Sequence, residues 1–301
     1  IHPGYNLQAE AMSDQSDEAL RIVQRTAQAL GLPLQSLEIE LGPSQVEAVF
    51  DATDALTAAD QMVLFRNGVR QALRRAGYHA TFMCRPPFPN IMSSGWHLHQ
   101  SLVDQTTGRN ACVREAPAAG TTRADATHTL SEAGAHWLAG LLAHARGMTV
   151  LCTPTINGFA RFRPNALAPQ AALWGQDNRG AMLRVVGGAG DSATRIENRV
   201  GEPAANPYLY MAAQIHAGLD GLARGLEPPP ACETPYAADH PKIPDTLGNA
   251  LGCLRADTAL IAGLGADVVH HFCRIKQQEI DRHADAKDKT DFDRREYFSR
   301  I

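Results

Sequence analysis

A chain of 301 residues, 44% hydrophobic and 20% charged, can bury a large core in one big domain or two. Its formal net charge is −4, with no basic block suited to nucleic acid and no apolar run long enough to span a bilayer. Six scattered cysteines without a Cys-x-x-Cys pair favour reduced thiols, and so a cytoplasmic protein, over a disulfide frame or a structural zinc site. The opening Ile1-His2-Pro3-Gly4-Tyr5 has no signal-peptide character and does not start with Met, so a preceding N-terminal part is expected.

Apolar residues at helical spacing (Ala19, Leu20, Ile22, Val23, Ala27, Leu30) predict a helix over 14–30, capped by Ser13 or Asp14 and ended by Gly31. Leu37 to Phe50 reads as two strands around a Gly42-Pro43-Ser44 turn. In one flat strand Glu40 and Glu47 would face opposite ways, whereas a turn lets both point at one place. Paired carboxylates beside imidazoles suit Mg²⁺ or Mn²⁺; a hairpin with solvated acids is the alternative. Thr57 to Ala76 predicts an amphipathic helix. Met62, Leu64, Phe65, Val69 and Leu73 would point inward, and Arg66, Arg70, Arg74 and Arg75 would form a solvated face. His79 to Met83 reads as a short buried strand.

The next stretch, Ser93 to Leu102, has strict alternation. It sets His97 and His99 on one strand face, about 7 Å apart, with Leu98 and Leu102 toward a core. Two imidazoles so placed can hold a metal, hold a phosphate or do one job each; the alternative is a polar face with one His bonded to a carbonyl. Residues 104–123 read as loop and 130–146 as helix. Thr153 to Pro164 is turn-rich and carries Arg161 and Arg163; Asp177 to Val185 adds Arg179 and Arg184. In Thr194 to Arg199 one strand face would hold Arg195, Glu197 and Arg199, a row of charge that needs a partner such as an anion plus a metal. Six arginines within forty residues of strand and loop suit carboxylate or phosphate recognition, with surface salt bridges as the alternative. Asn206 and Pro207 start a helix to Gly225. A long loop follows to Pro244, and helices over 245–263 and 266–283 close the chain.

Together these pieces resemble the glutamine synthetase family, over nearly all 301 residues. Glu40-Leu41-Gly42-Pro43-Ser44-Gln45-Val46-Glu47 is similar to its Glu-x-x-Pro-Gly-Gln-x-Glu element. Ser94 to Leu102 is similar to Ser-Gly-x-His-x-His-x-Ser-Leu, Asn157 to Pro164 to Asn-Ser-Tyr-Lys-Arg-Leu-x-Pro, and Asp177 to Arg184 to the Asn-Arg-x-x-x-x-Arg segment. Arg195 to Leu209 matches the Arg-x-Glu-x-Arg…Ala-Asn-Pro-Tyr-Leu run, and Thr290 to Tyr297 resembles the family's C-terminus.

The resemblance implies an α+β catalytic domain over 1–301, an antiparallel curved sheet flanked by helices. It implies ATP-dependent formation of a γ-glutamyl phosphate, then attack by ammonia or an amine. Glu40 and Glu47 would hold one Mg²⁺ or Mn²⁺; His97 and Glu197 would hold a second, bridging ATP phosphates. His99 and Ser101 would lie near the nucleotide, with Arg179, Arg184 and Arg195 serving phosphate. Arg161 and Arg199, with Ser93 and Gly95, would bind glutamate, and Arg179 and Arg199 would act on the reacting groups. Tyr5, Glu40 and Leu167 would form the acceptor pocket. The resemblance also implies a ring-shaped homo-oligomer, possibly two stacked hexamers, with no nucleic-acid or membrane partner.

Departures from the family pattern refine this. Leu167 stands where glutamine synthetases carry a flap glutamate for ammonium, which suits an organic amine. Met92-Ser93 replaces Asn-Gly, Ala160 replaces the loop lysine, Arg163 is an extra charge, and Cys84-Arg85 replaces an Ala/Pro-Lys pair. The family's N-terminal β-grasp domain and upstream Glu-x-Glu are not in this sequence; Glu38-Ile39-Glu40 has that form but lies in the later element. The expectation is a γ-glutamyl–amine ligase. Ordinary glutamine synthesis from ammonia and a non-catalytic scaffold or regulator are the alternatives.

Overall fold

The computed structural model describes residues 1–163, 166–237 and 239–301. They form two compact units, Ile1–Ser94 with Ala286–Ile301, and Gly95–Asp285.

In the first unit, α1 (Glu10–Ala29) packs on α2 (Ala55–Arg75), and a hairpin of β1 (Leu34–Ile39) and β2 (Val46–Phe50) completes the layer. Ala19, Val23 and Ala27 recur on the buried face of α1, and Phe65, Val69 and Leu73 on that of α2. α1 starts at Glu10 after an extended Ala9 that offers no side-chain cap, so neither Ser13 nor Asp14 caps it. α2 is capped by Asp54, whose carboxylate accepts from the Thr57 amide at 3.0 Å. Leu64 is 48% exposed rather than inward, because Phe65 takes the core position beside it. No strand forms over 79–83; the chain there is held by the C-terminus instead, Phe82 donating its amide to the Ile301 carbonyl at 3.1 Å.

The second unit holds a four-stranded sheet in the order β3 (Leu98–Gln100), β6 (Arg195–Asn198), β5 (Leu183–Val186), β4 (Trp174–Gln176). Pairs β3/β6 and β6/β5 are antiparallel, and the added strand β4 runs parallel to β5. One sheet face is core: Leu183, Val185 and Ile196 are fully buried, and Leu98 and Leu102 pack against the same cluster, as their alternation predicts. Helices α3 (Glu132–Ala143), α4 (Ala145–Cys152), α5 (Ile156–Phe159), α6 (Pro207–Arg224), α7 (Leu247–Ala256), α8 (Thr258–Leu264) and α9 (Ala266–Asp285) supply the rest. α3 and α6 meet backbone to backbone: a Cβ on Gly140 would stand 2.2 Å from the Ala217 carbonyl, and one on Gly221 2.2 Å from that of His136.

Two helices expected as single are split, and one residue takes part in both breaks. The 130–146 helix divides at His144, whose Nδ1 lies 2.8 Å from Asp257 Oδ2 and whose Nε2 lies 2.9 Å from Asp220. The 245–263 helix divides at Asp257 itself, which caps α8 by accepting from the Leu260 amide at 3.1 Å. α6 matches expectation at both ends: the Asn206 side chain accepts from the Tyr208 and Leu209 amides, and Gly225 closes it at φ 57°.

Candidate active site

Sheet register builds the site. His99 and Arg184 both stand directly opposite Glu197, on the strands either side of β6, so the three share the face away from the core. His97 precedes His99 by two residues and Arg199 follows Glu197 by two, which adds both to that face.

Glu197 is the centre. It is 2% exposed, and its Oε1 accepts from Arg199 Nη1 at 2.5 Å. The same oxygen lies 3.2 Å from His97 Nδ1 and 3.8 Å from His99 Nε2, and Oε2 accepts from Arg184 Nη1 at 3.1 Å. Arg184 is held from behind by Asp177, through its Nε at 2.9 Å. Arg195 Nε donates to His99 Nδ1 at 3.0 Å, which leaves the His99 proton on Nε2, the atom turned to Glu197.

Arg161 approaches from the loop after α5. Its Nη1 donates to the carbonyls of Val200 and Gly201, and its Nη2 donates to that of Arg199 and faces His97 Nε2 at 3.4 Å. Gly95 leaves room for this approach: a Cβ there would lie 2.7 Å from Arg161 Nη2 and 2.8 Å from His97 Nε2, so one of the two would have to move. Arg184 and Arg199 thus pair with the carboxylates of Glu197 and Asp177, while Arg161 and Arg195 stand against His97 and His99, so the four guanidinium groups leave positive charge for an anionic ligand. Arg199 Nε is buried with no hydrogen-bond partner among the described residues.

Burial pushes the His97 imidazole down to about 4, against the pull of its hydrogen bond to Glu197, so it is neutral at pH 7. Burial alone would raise Glu197. Its hydrogen bond with His97 and the Arg199 guanidinium outweigh that and hold it well below the usual carboxylate range. Partial burial and the guanidinium of Arg195 lower His99, against Glu197.

Among the described residues, no three His, Cys, Asp or Glu side chains converge as a ready metal-binding group. The donor types nevertheless fit a divalent cation, since Glu197 is ionised and His97 is neutral, the forms that bind metal. Arg184 and Arg199 occupy both Glu197 oxygens.

Of the remaining expected residues, Ser101 is exposed just past β3, and Arg179 is exposed on the turn between β4 and β5. Leu167 is 55% exposed at φ 52°, a left-handed conformation uncommon for leucine, and its carbonyl accepts from Arg199 Nη2 at 3.3 Å. Pro164, the end of the Asn157–Pro164 element, lies outside the described residues. Tyr5, Glu40, Glu47 and Ser93 belong to the other unit. There the hairpin pairs Glu38 with Glu47, and Glu40 follows Glu38 by two, so all three acids share one hairpin face. Tyr5 donates its hydroxyl to the Asn90 carbonyl at 2.8 Å, and Ser93 accepts from Arg85 Nη1 at 3.1 Å.

Residues 4–295 match the family model of the glutamine synthetase catalytic domain. The chain belongs to the glutamine synthetase family. It is 39% identical to a gamma-glutamylanilide synthase of Acinetobacter sp, over 99% of this chain and 60% of that protein. It is 36% identical to a glutamine synthetase of Thermus thermophilus, over 89% of this chain and 59% of that protein. The solved structure of a GmaS/ADP complex superposes with a TM-score of 0.82 at 27% identity, over 98% of this chain and 66% of that one. The chain therefore spans about 60% of the length of these two curated relatives.

Within this glutamine synthetase-family chain, several supporting residues escaped the sequence reading. Behind the charged face a polar network braces the sheet. Trp137 Nε1 donates to Gln100 at 2.7 Å, and Gln100 and Asn198 both donate to Gln214 Oε1, at 3.2 and 2.8 Å. Gln100 and Asn198 alternate with His99 and Glu197, so the period of two that exposes the charged row also turns these amides inward. Asp177, the clamp on Arg184, had only its place before Asn178-Arg179 as a signal.

Proposed function

We propose that the full-length protein is an ATP-dependent ligase that joins the γ-carboxyl of glutamate to an organic amine. The observation that carries this reading is the Glu197-centred face, one ionised carboxylate and a neutral imidazole ringed by guanidinium groups.

Phosphoryl transfer asks chiefly for positioning and neutralised oxygens. His97 and Glu197 would hold one divalent cation, and Glu40 and Glu47 a second; bound cations supply charge neutralisation at the phosphate oxygens. Arg184, Arg195 and Arg179 serve the phosphates, and His99 and Ser101 line the nucleotide end. Arg199 and Arg161, beside Gly95, bind the glutamate carboxylates. The γ-carboxylate attacks the terminal phosphorus of ATP, ADP leaves, and the amine then displaces phosphate from the acyl carbon. The loop bearing Leu167, tied to Arg199 through its carbonyl, shields the acyl phosphate from water.

Leu167 and likeness to the anilide synthase favour an amine acceptor. Likeness to the Thermus thermophilus enzyme supports the second reading, in which ammonia is the acceptor. Six free thiols agree with a reducing, cytoplasmic setting, and among the described residues no helix is long and apolar enough to cross a membrane. A ring-shaped homo-oligomer completes the proposal. Phosphate release by the full-length protein tests it: release should require ATP, Mg²⁺, glutamate and an amine together. Absence of release with every amine and with ammonia would leave a non-catalytic role.

A further inference from the structure

Glu202 ends the segment that carries Arg195, Glu197 and Arg199, and it is fully buried. Its carboxyl lies against the start of a different segment. Oε1 accepts from the Thr155 amide at 2.9 Å and from the Thr155 hydroxyl at 2.8 Å, and Oε2 lies 2.9 Å from the same hydroxyl. Thr155 is the cap of α5, its hydroxyl accepting in turn from the Gly158 amide at 2.9 Å. Gly158 presses its Cα onto the carboxyl, where a Cβ would stand 2.5 Å from Glu202 Cδ.

This burial is costly and needs a reason. Among the described residues no cation forms an ion pair with Glu202; the neighbouring Lys276 of α9 turns to Glu279 at 2.8 Å. A buried carboxyl with hydroxyl and amide donors but no counter-charge is a poor choice for packing alone. What it touches supplies the reason. Three residues beyond Gly158 stands Arg161, whose guanidinium bonds the carbonyls of residues 199–201, just before Glu202. Thr153 Oγ1 also donates to the Val200 carbonyl at 2.8 Å, and the Glu202 amide to that of Cys152 at 3.0 Å. Residues 152–161 and 199–202 are thus zipped together, with the Glu202 carboxyl as the polar side-chain clasp on the α5 cap.

We propose that Glu202 is a positioning residue: by holding Thr155 and bearing on Gly158, its carboxyl sets where Arg161 stands relative to Glu197 and Arg199. It touches no reacting atom. The proposal deepens the ligase reading and rests on it for its kinetic test.

The test compares the full-length wild type with Glu202→Ala and Glu202→Gln, by glutamate and MgATP kinetics and by amide hydrogen exchange of the 155–161 peptide. Misplaced Arg161 should raise KM for glutamate in Glu202→Ala, on the order of a hundredfold, with KM for MgATP unchanged. Glu202→Gln keeps the shape and an acceptor for the Thr155 amide, so it should restore most of the glutamate affinity. Exchange over 155–161 should speed up in Glu202→Ala and not elsewhere in the second unit. A wild-type KM for glutamate in Glu202→Ala, or equal losses for both substrates, overturns the proposal. If the wild type shows no ligase activity, the ligase reading falls, and the exchange data alone decide: unchanged exchange in Glu202→Ala then overturns the clasp.

Discussion

Arg199 Nη1 donates to Glu197 Oε1 at 2.5 Å, and the two residues are i, i+2 neighbours at the end of β6 with almost no exposure. Each keeps the other charged in a place where either alone would be costly. Glu197→Ala strands Arg199 and removes the one buried carboxylate of the charged face. ATP turnover by the full-length protein should vanish, and the thermal midpoint should fall, in line with a loss of about 3 kcal/mol. Phosphate release and a melting curve check this; unchanged turnover would remove Glu197 from the site.

Leu167→Glu puts a carboxylate where an apolar side chain now stands exposed on its loop. An added anion favours a small cation and disfavours an apolar amine. The ratio of kcat/KM for ammonia to that for the best amine should rise on the order of tenfold. Steady-state assays with both acceptors measure it, and an unchanged ratio would take Leu167 out of the acceptor pocket.

His144 predicts a pH-dependent stability. Its hydrogen bond to Asp257, with that to Asp220, raises its pKa against the effect of burial. The folded state therefore holds the proton more tightly than the unfolded chain. That stabilisation is fully present below pH 6.5, the ordinary histidine value, and is lost as pH rises through the higher folded value. His144→Ala should cost roughly 2 kcal/mol at pH 6 and less at alkaline pH, read from urea melts at both. Arg224, paired with Asp220 at 2.8 Å, should keep that ion pair in His144→Ala.

Glu202 predicts a slope of the same sign in a lower pH window, for a different reason. Burial pushes its carboxyl up to about 7 from an ordinary 4.5, against hydrogen bonds from Thr155, with Lys276 and Glu279 the nearby charges. The unfolded chain ionises first, so wild-type stability falls as pH rises from about 4.5 to about 7 and is level above. Glu202→Gln lacks this ionisation. Relative to wild type it should gain up to about 3 kcal/mol across that window, measured by melts in parallel. Parallel curves at every pH would show that Glu202 ionises normally.

Legibility in the sequence followed periodicity. The charged row His97, His99, Glu197 and Arg199 was readable because a period of two survives translation into a strand, and register needs only the partner strands to supply Arg184. The helix breaks were not readable. Apolar spacing runs straight through His144 and through Asp257, and only the hydrogen bonds between them show where the chain turns. β4 is three residues long, too short for a pattern to register. Leu64 misled because Phe65 beside it competes for the same core position. Glu202 was invisible for a plainer reason: an acid's burial depends on what packs over it, which no local spacing encodes.

The measurement that bears most directly on the whole account is a competition assay. The full-length protein would be given ATP, Mg²⁺, glutamate and equal concentrations of ammonia and a panel of aryl and alkyl amines, with products identified by mass. A γ-glutamyl amide of one amine should be the dominant product, with ADP and phosphate formed in step. Glutamine as the dominant product, or ATP left intact throughout, would contradict it.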